Sequence, residues 1–367
     1  MVSTVNRPKL RILGTRGIPA QHGGFETFAE HLATYLAGRG WDVVVYCQES
    51  GPGETWESEW RGVRLVHIPV ARSGAWSTID FDWQSVRHAA REPGLVLTLG
   101  YNTAAFCVRY RMKGIPNLIN MDGIEWKRRK WSRLERAWLY INERAGCWAG
   151  NHLIADHPQI KAYLTTRAPS DRITMIPYGA DLVLNPDLPP FDLEPGSYAL
   201  IVARPEPENS ILEMVRAFSR RKRAKRLVVL GAYHADNVYH RQVLDSASEE
   251  VLFPGALYDA KQVANLRFHA CLYLHGHTVG GTNPSLVEAL AAGSPVLAHD
   301  NTFNRWVAGS EAHYFDDEDD CAKELDLLLD DVTLLGKMRD ASLNHHQAHF
   351  TWNKILADYE TLLSKWT

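Results

Sequence analysis

Residues 271–298 read CLYLHGHTVGGTNPSLVEALAAGSPVLA. The apolar run Cys271 to Leu274 has the length of a buried strand, and the loop after it carries Gly280-Gly281 and the polar pair Thr282-Asn283. Pro284 suits the first position of a helix, where its missing N–H costs nothing, and Leu286 to Leu290 are good helix formers. A second apolar run, Pro295 to Ala298, follows. Strand, loop, helix and strand in this order predict a parallel sheet covered by helices.

The same alternation extends in both directions. Toward the N-terminus, Leu10 to Leu13, Val43 to Tyr46, Leu95 to Leu99, Leu118 to Asn120 and Leu153 to Ala155 read as buried strands. The stretch Gly24 to Ala37 reads as a helix, because Phe25, Phe28, Leu32 and Leu36 recur at helical spacing. Tyr198 to Ala203, Leu227 to Leu230 and Val251 to Phe253 continue the second strand series. Between the two series, Asp181 to Gly196 contains Asn185-Pro186, Pro189-Pro190 and Pro195-Gly196, all linker signals. The expected division is therefore 1–185 and 186–345, each a doubly wound α/β domain, with a helical tail at 346–367. Ligands of open parallel sheets lie outside the carboxyl ends of the strands, so two such domains facing each other predict an interdomain cleft.

Bulk properties agree with two globular domains. The chain has 367 residues, 45% hydrophobic and 23% charged, with a net charge of −3. That length exceeds what one core usually serves. The charge argues against nucleic acid as a partner, since duplex binding needs a basic surface. Cys47, Cys107, Cys147, Cys271 and Cys321 form no CxxC or metal-ligand spacing and read as reduced thiols in a cytosol. The N-terminal residues lack an apolar signal core, and no run approaches about 18 apolar residues, so any membrane contact is expected to be peripheral.

Several residues have the chemistry of a phosphate site. A loop feeding a helix N-terminus, as at Gly281 to Leu286, presents backbone N–H groups to an anion. The dipole contributes about 0.3–1 kcal/mol when exposed, so a diphosphate needs a cation as well. Arg204, just past the strand Tyr198 to Ala203, is placed to supply a bidentate fork. Glu288 has two readings. Ser285-x-x-Glu288 fits a capping box, and the carboxylate also suits the ribose hydroxyls of a nucleotide on the same helix end. Gly14-Thr15-Arg16-Gly17 through Gly23-Gly24 opens the first helix with spacing other than G-x-G-x-x-G, which disfavours a nicotinamide oxidoreductase.

At Gly281 to Glu288, followed by ALAAGSPV at 289–296, the sequence resembles the sugar-nucleotide motif of family four glycosyltransferases. Arg204 to Asn209 resembles that family's phosphate segment, Phe253-Pro254-Gly255-Ala256-Leu257 its base-binding turn, and Gly23-Gly24 its N-domain loop. The stretches 14–27 and Met121 to Arg128 resemble the subgroup that includes bacterial rhamnosyltransferases of surface-polysaccharide assembly. The resemblance implies a GT-B fold of two Rossmann-like domains and a retaining transfer of a hexosyl group, with L-rhamnose from dTDP-rhamnose as the leading donor. It implies a saccharide or lipid-linked saccharide acceptor on the N-terminal domain. No cofactor or metal is expected. Donor contacts are implied at Gly23, Gly24, Arg204, Leu257, Gly281, Thr282, Asn283, Ser285, Leu286 and Glu288. Two departures stand out. Gly280 occupies the position of the family's first glutamate, which leaves His275 and His277 or backbone to meet the donor sugar, and Asn209 stands where a lysine is expected.

Asp122 reads either as a turn residue before Gly123 or as the carboxylate that takes the acceptor proton. Trp126, Lys127, Arg128 and Arg129 open a basic and aromatic stretch that runs to Tyr140. It suits an acidic acceptor or an anionic membrane at the inner face of the plasma membrane, and equally a helix packing its tryptophans inward. Asp80-Phe81-Asp82 matches the metal-binding D-x-D of single-domain transferases, a reading the two-domain pattern disfavours. Rival functions on the same fold are an epimerase or hydrolase of sugar nucleotides and a binding subunit that has lost turnover.

Overall fold

The computed structural model describes residues 7–21, 23–128 and 130–367. Two compact units emerge, one made of the described residues up to Pro177 together with Trp352–Thr367, the other of Tyr178–Thr351. The division thus falls between Pro177 and Tyr178 rather than at residue 185, and the tail that rejoins the first unit begins at Trp352 rather than at 346.

In the first unit the strands are β1 (Lys9–Leu13), β2 (Asp42–Ser50), β3 (Trp56–Trp60), β4 (Val63–Val70), β5 (Leu95–Leu99), β6 (Asn117–Asn120), β7 (His152–Ala155) and β8 (Ile173–Met175). Its helices before the division are α1 (Gly24–Gly38), α2 (Ala75–Ala89), α3 (Val108–Met112), α4 (Arg133–Ala149) and α5 (Pro158–Leu164). The strand order is β3-β4-β2-β1-β5-β6-β7-β8, parallel throughout except for β3 against β4.

The second unit contains β9 (Tyr198–Val202), β10 (Arg226–Leu230), β11 (Val251–Gly255), β12 (Leu272–His275), β13 (Val296–His299) and β14 (His313–Phe315). Around them lie α6 (Ile211–Ser219), α7 (Val238–Asp245), α8 (Ala260–His269), α9 (Pro284–Ala291), α10 (Thr302–Ala308), α11 (Glu318–Leu328) and α12 (Val332–His349). The strand order β11-β10-β9-β12-β13-β14 is wholly parallel. Helix α13 (Trp352–Leu363) then packs on α1, with the Phe28 and Tyr359 rings 4.7 Å apart and the Tyr359 hydroxyl accepting from Asn120 Nδ2 at 3.0 Å.

Continuous apolar runs become strands buried on both faces because successive side chains point to opposite sides of the sheet. Ala199 and Ile201 enter one core cluster of the second unit while Tyr198 and Leu200 enter the other. Each sheet also has one point at which the order reverses. In the first unit the chain builds outward from β1 to β2 and β4, then returns to place β5 on the other side of β1. In the second, β9 leads to β10 and β11 before β12 returns to its other side. Loops diverge at such a point and leave a crevice, which is where open α/β sheets hold ligands. No described helix is long and apolar enough to cross a membrane.

Candidate active site

The reversal in the second unit lies between β9 and β12, and the loops that follow these strands carry Arg204 and residues 276–283. Three contacts hold the two loops together. The Ser285 hydroxyl lies 3.1 Å from the Val202 carbonyl, Thr278 donates its N–H and hydroxyl to the Glu208 carbonyl at 2.9 and 3.0 Å, and Gly276 packs directly on the Asn209 carbonyl. A side chain at Gly276 would collide with that carbonyl, so glycine here is a packing requirement. Asn209, in place of the expected lysine, is buried and donates Nδ2 to the Arg204 carbonyl at 2.8 Å. Arg204 itself is exposed, and its guanidinium has no partner among the described residues.

The start of α9 differs from the capping box. Asn283 is the cap: its side chain accepts the Ser285 N–H at 3.0 Å and its carbonyl the Leu286 N–H at 3.1 Å. The Ser285 hydroxyl instead lies 2.6 Å from the Tyr273 hydroxyl. Glu288 is correspondingly free of backbone duty. Its Oε2 pairs with Nη1 of Arg267 at 2.7 Å, while Nη2 of the same guanidinium reaches Ser285 Oγ at 3.1 Å. Arg267 is buried on α8 and Glu288 half-exposed, so the cation lies behind the carboxylate and one face of Glu288 stays open. With Pro284 lacking an N–H, Gly280, Gly281 and Asn283 hold the donors without acceptors among the described residues. Thr282 is buried beside them, and Leu286 lies in the core. Leu257 packs partly buried against the cluster that contains Leu286 and Val287.

His275 is 1% exposed and stacks on His277 with ring centroids 4.3 Å apart. Burial first, then the neighbouring His277, Arg267 and His299, hold its ring well below the ordinary histidine range, so it is a neutral core residue that does not reach the surface. The expected sugar contact at His275 is therefore not available to its side chain in this conformation. Gly280 has a φ of +154° and nothing within 4 Å of where a Cβ would stand. The loop has room for a side chain there but a backbone that favours glycine.

In the first unit, Asp122 follows β6 with a φ of +49°, a conformation Asp tolerates at some cost. Its N–H donates to the Asn120 side chain at 3.0 Å. Burial, reinforced by the charge of Glu125, pushes its carboxyl up to about 6. A carboxyl so placed can hold or release a proton near neutral pH. Gly23 and Gly24, at the start of α1, line a cavity of about 370 Å³ at the β1–β5 reversal.

The basic and aromatic stretch is partly turned inward. The Trp126 indole donates to Glu143 at 2.9 Å, Lys127 lies over the Trp126 and Tyr163 rings, and Arg128 pairs with Glu125 at 2.8 Å. Arg129 lies outside the described residues. The exposed apolar side chains belong to α4 instead, at Leu134, Trp138, Ile141 and Trp148. Asp80 and Asp82 diverge, since residues two apart on a helix point to opposite sides. Asp80 faces Arg72, and Asp82 enters the cavity. No group of three candidate metal ligands occurs among the described residues.

Comparisons with known proteins agree with this architecture. Residues 8–181 match the family described as Domain of unknown function (DUF1972), and residues 209–361 match that described as Glycosyl transferase-like. No curated protein matches. Among solved structures, sucrose-phosphate synthase from Thermosynechococcus elongatus superposes with a TM-score of 0.81 at 18% identity, covering 98% of this chain and 99% of that one. Anabaena HepE in complex with UDP and glucose gives 0.76 at 14% identity over 98% and 100%. An α,α-trehalose-phosphate synthase (UDP-forming) from Burkholderia vietnamiensis gives 0.72 at 11% over 98% and 100%. The chain thus has the GT-B fold along nearly its whole length, and its residues 209–361 match a glycosyl transferase-like family.

Proposed function

We propose that the protein transfers a hexosyl group, with retention, from a nucleoside diphosphate sugar to a saccharide or lipid-linked saccharide of a bacterial polysaccharide pathway. The observation that carries the reading is the grouping at the β9–β12 reversal: the unpartnered Arg204, the free N–H groups of Gly280, Gly281 and Asn283, and Glu288 held by Arg267. In this reading the diphosphate sits on Arg204 and the backbone donors, and Glu288 accepts the ribose hydroxyls. Leu257 lies against the base. In the reaction, the bond from the anomeric carbon to the diphosphate oxygen breaks and a bond to the acceptor oxygen forms on the same face. The acceptor proton passes to Asp122 or to the leaving phosphate. Charge that develops on the departing diphosphate is stabilised by groups already in position, the kind of term that often dominates such steps.

UDP in the HepE complex makes a uridine donor one candidate, and the resemblance of residues 14–27 and 121–128 makes dTDP-L-rhamnose the other. Calorimetric titration with UDP, dTDP and GDP in EDTA distinguishes them. Saturable binding of one nucleotide, weakened in Glu288→Ala, is the expected result; no binding of any of the three, with or without a divalent ion, overturns the proposal.

Peripheral contact with an anionic bilayer, at the cytoplasmic face, belongs to the same proposal. Leu134, Trp138, Ile141 and Trp148 form an exposed stripe on α4, and Arg133 and Arg144 lie along one edge of it. Apolar side chains with cations beside them suit an anionic headgroup layer. Co-sedimentation with phosphatidylglycerol vesicles but not phosphatidylcholine vesicles, lost in a Trp138→Ser/Ile141→Ser variant, is expected. Equal sedimentation of the variant removes this part of the reading.

A further inference from the structure

Three neighbouring strands at one edge of the first sheet bring a serine, a histidine and a glutamate into line. β3 pairs antiparallel with β4, and β2 runs parallel to β4 on its other side. Trp56 stands opposite His67, and His67 opposite Cys47. Partners across a ladder share a face of the sheet, as do residues two apart along a strand. Trp56 and Ser58 of β3, His67 of β4 and Glu49 of β2 therefore lie on one face. Ser58 Oγ is 2.8 Å from His67 Nε2, and Glu49 Oε1 is 2.7 Å from His67 Nδ1.

The proton positions follow from what each group can do. A carboxylate only accepts, so the single proton of the neutral imidazole sits on Nδ1, and Nε2 is left to accept the Ser58 O–H. The ring is also fixed in its plane. The Trp56 indole stacks on it with centroids 3.5 Å apart and planes 4° apart. His67 is buried, whereas Ser58 and Glu49 are partly exposed and Trp56 is 49% exposed, so solvent reaches the serine side of the group. A hydroxyl bonded to a base that a third group orients is the arrangement of an activated nucleophile.

The strand edge supplies a donor. Arg61 and Gly62, with φ of +48° and +77°, make a two-residue turn between Trp60 and Val63. Such a turn makes Trp60 and Val63 a hydrogen-bonded pair, and alternation along the ladder makes Ser58 and Leu65 another. The N–H groups of Glu57 and Glu59 then point away from β4. β3 is the outermost strand, so that side is open. The Glu59 N–H, next to the serine, is placed to meet a developing oxyanion.

We propose that Ser58, His67 and Glu49 form a second catalytic centre, a serine esterase for small carboxylic esters. Ser58 Oγ attacks the carbonyl carbon while its proton passes to His67 Nε2. The bond to the alkoxy oxygen breaks, and the alcohol leaves with that proton. Water then gives a proton to Nε2 and attacks the acyl-serine; the Oγ–acyl bond breaks, Oγ recovers the proton, and a carboxylic acid departs. Glu49 is a positioning residue that holds the tautomer. One backbone donor at an open edge stabilises less charge than a full oxyanion hole, which suits esters rather than the harder amides. Trp56 offers the acyl group an apolar surface. This activity does not depend on the transferase reading, and its failure leaves that reading in place.

Hydrolysis of p-nitrophenyl acetate and butyrate by the full chain tests this, alongside labelling with fluorophosphonate-biotin, which modifies activated serines irreversibly. The Ser58 hydroxyl makes one described hydrogen bond, on an edge strand, so Ser58→Ala should keep the wild-type melting temperature. The wild type is expected to hydrolyse at least one ester about tenfold or more faster than Ser58→Ala, and the probe to label Ser58. Glu49→Gln should lower kcat about tenfold or more and leave KM, since Glu49 touches the base and not the ester. Equal rates in the wild type and Ser58→Ala, a probe that leaves Ser58 unmodified, or an unchanged kcat in Glu49→Gln each overturn the proposal.

Discussion

Nη1 of Arg267 lies 2.7 Å from Oε2 of Glu288, and the arginine is the more deeply buried of the two. A carboxylate on the first turns of a helix is thereby held from behind by a cation on the preceding helix. Replacing Arg267 with Met leaves Glu288 without that anchor and Ser285 without one hydrogen bond. Nucleotide affinity is expected to fall about tenfold. Stability should fall by about 1–3 kcal/mol, less than for a fully buried pair because Glu288 is more than a third exposed. Isothermal titration and urea unfolding measure the two effects. An unchanged affinity would show that Glu288 needs no positioning.

Arg204 is expected to behave in the opposite way. Its side chain is exposed and makes no pair among the described residues, so Arg204→Ala should change stability by no more than about 0.5 kcal/mol. Loss of a charge-assisted contact to a diphosphate should weaken nucleotide binding about 10- to 100-fold. A marked loss of stability with intact nucleotide affinity would make Arg204 a structural residue.

Asp122 must be ionised to take a proton, and burial with the Glu125 charge pushes its carboxyl up to about 6. Glu125 opposes ionisation while Arg128 and Lys130 favour it. kcat/KM should therefore rise with pH to about 6 and level off above it. Asp122→Asn keeps a residue that tolerates positive φ, so folding and nucleotide affinity should persist while turnover drops by about 100-fold or more. A variant with wild-type kcat would move the base elsewhere.

Asp82 offers a test by stability alone. Its folded value of about 6 lies above the ordinary aspartate value of 3.8, so the folded state resists ionisation. The group's contribution to stability is fully present below pH 4 and is lost as pH rises through about 6. Asp82→Asn removes that loss. The variant should be more stable than the wild type at pH 8, by on the order of 2 kcal/mol, and no more stable at pH 4. Thermal melts at the two pH values decide it, and an Asp82→Asn chain that melts lower at pH 8 would show that the carboxylate is needed by the fold.

The central strands were legible in the sequence because they are buried on both faces: VVVY at 43–46 is a continuous apolar run, and LRIL at 10–13 and LVLTL at 95–99 are each broken by a single polar residue, Arg11 and Thr98. Among the edge strands, β11 was read at Val251 to Phe253, but β3, β8 and β14 were not. In β3, WESEW, three polar residues stand between two tryptophans, and the strand pairs with β4 on one side only. The short β8 and β14 close their sheets in the same way. An edge strand is specified by the neighbour it pairs with, and the alternation of apolar residues does not record that neighbour.

The site divides along the same line. Glycine, proline and helix formers in sequence determined the Gly280 to Leu290 loop and helix, since those are local backbone preferences. The sequence also placed Arg204 just past its strand. What Ser285 and Glu288 do there was undecided until the fold brought Tyr273, Val202 and Arg267 to them, from 12, 83 and 21 residues away. Asn283 took the cap, and Arg267 took the carboxylate. Likewise, Asp80 and Asp82 read as one motif but part company on a helix, and only packing of α2 over the β1–β5 reversal turned Asp82 inward. Backbone conformation follows from near neighbours in the chain. The partner of a charged side chain depends on which distant surfaces the sheet order brings together, and that is settled only when the core closes.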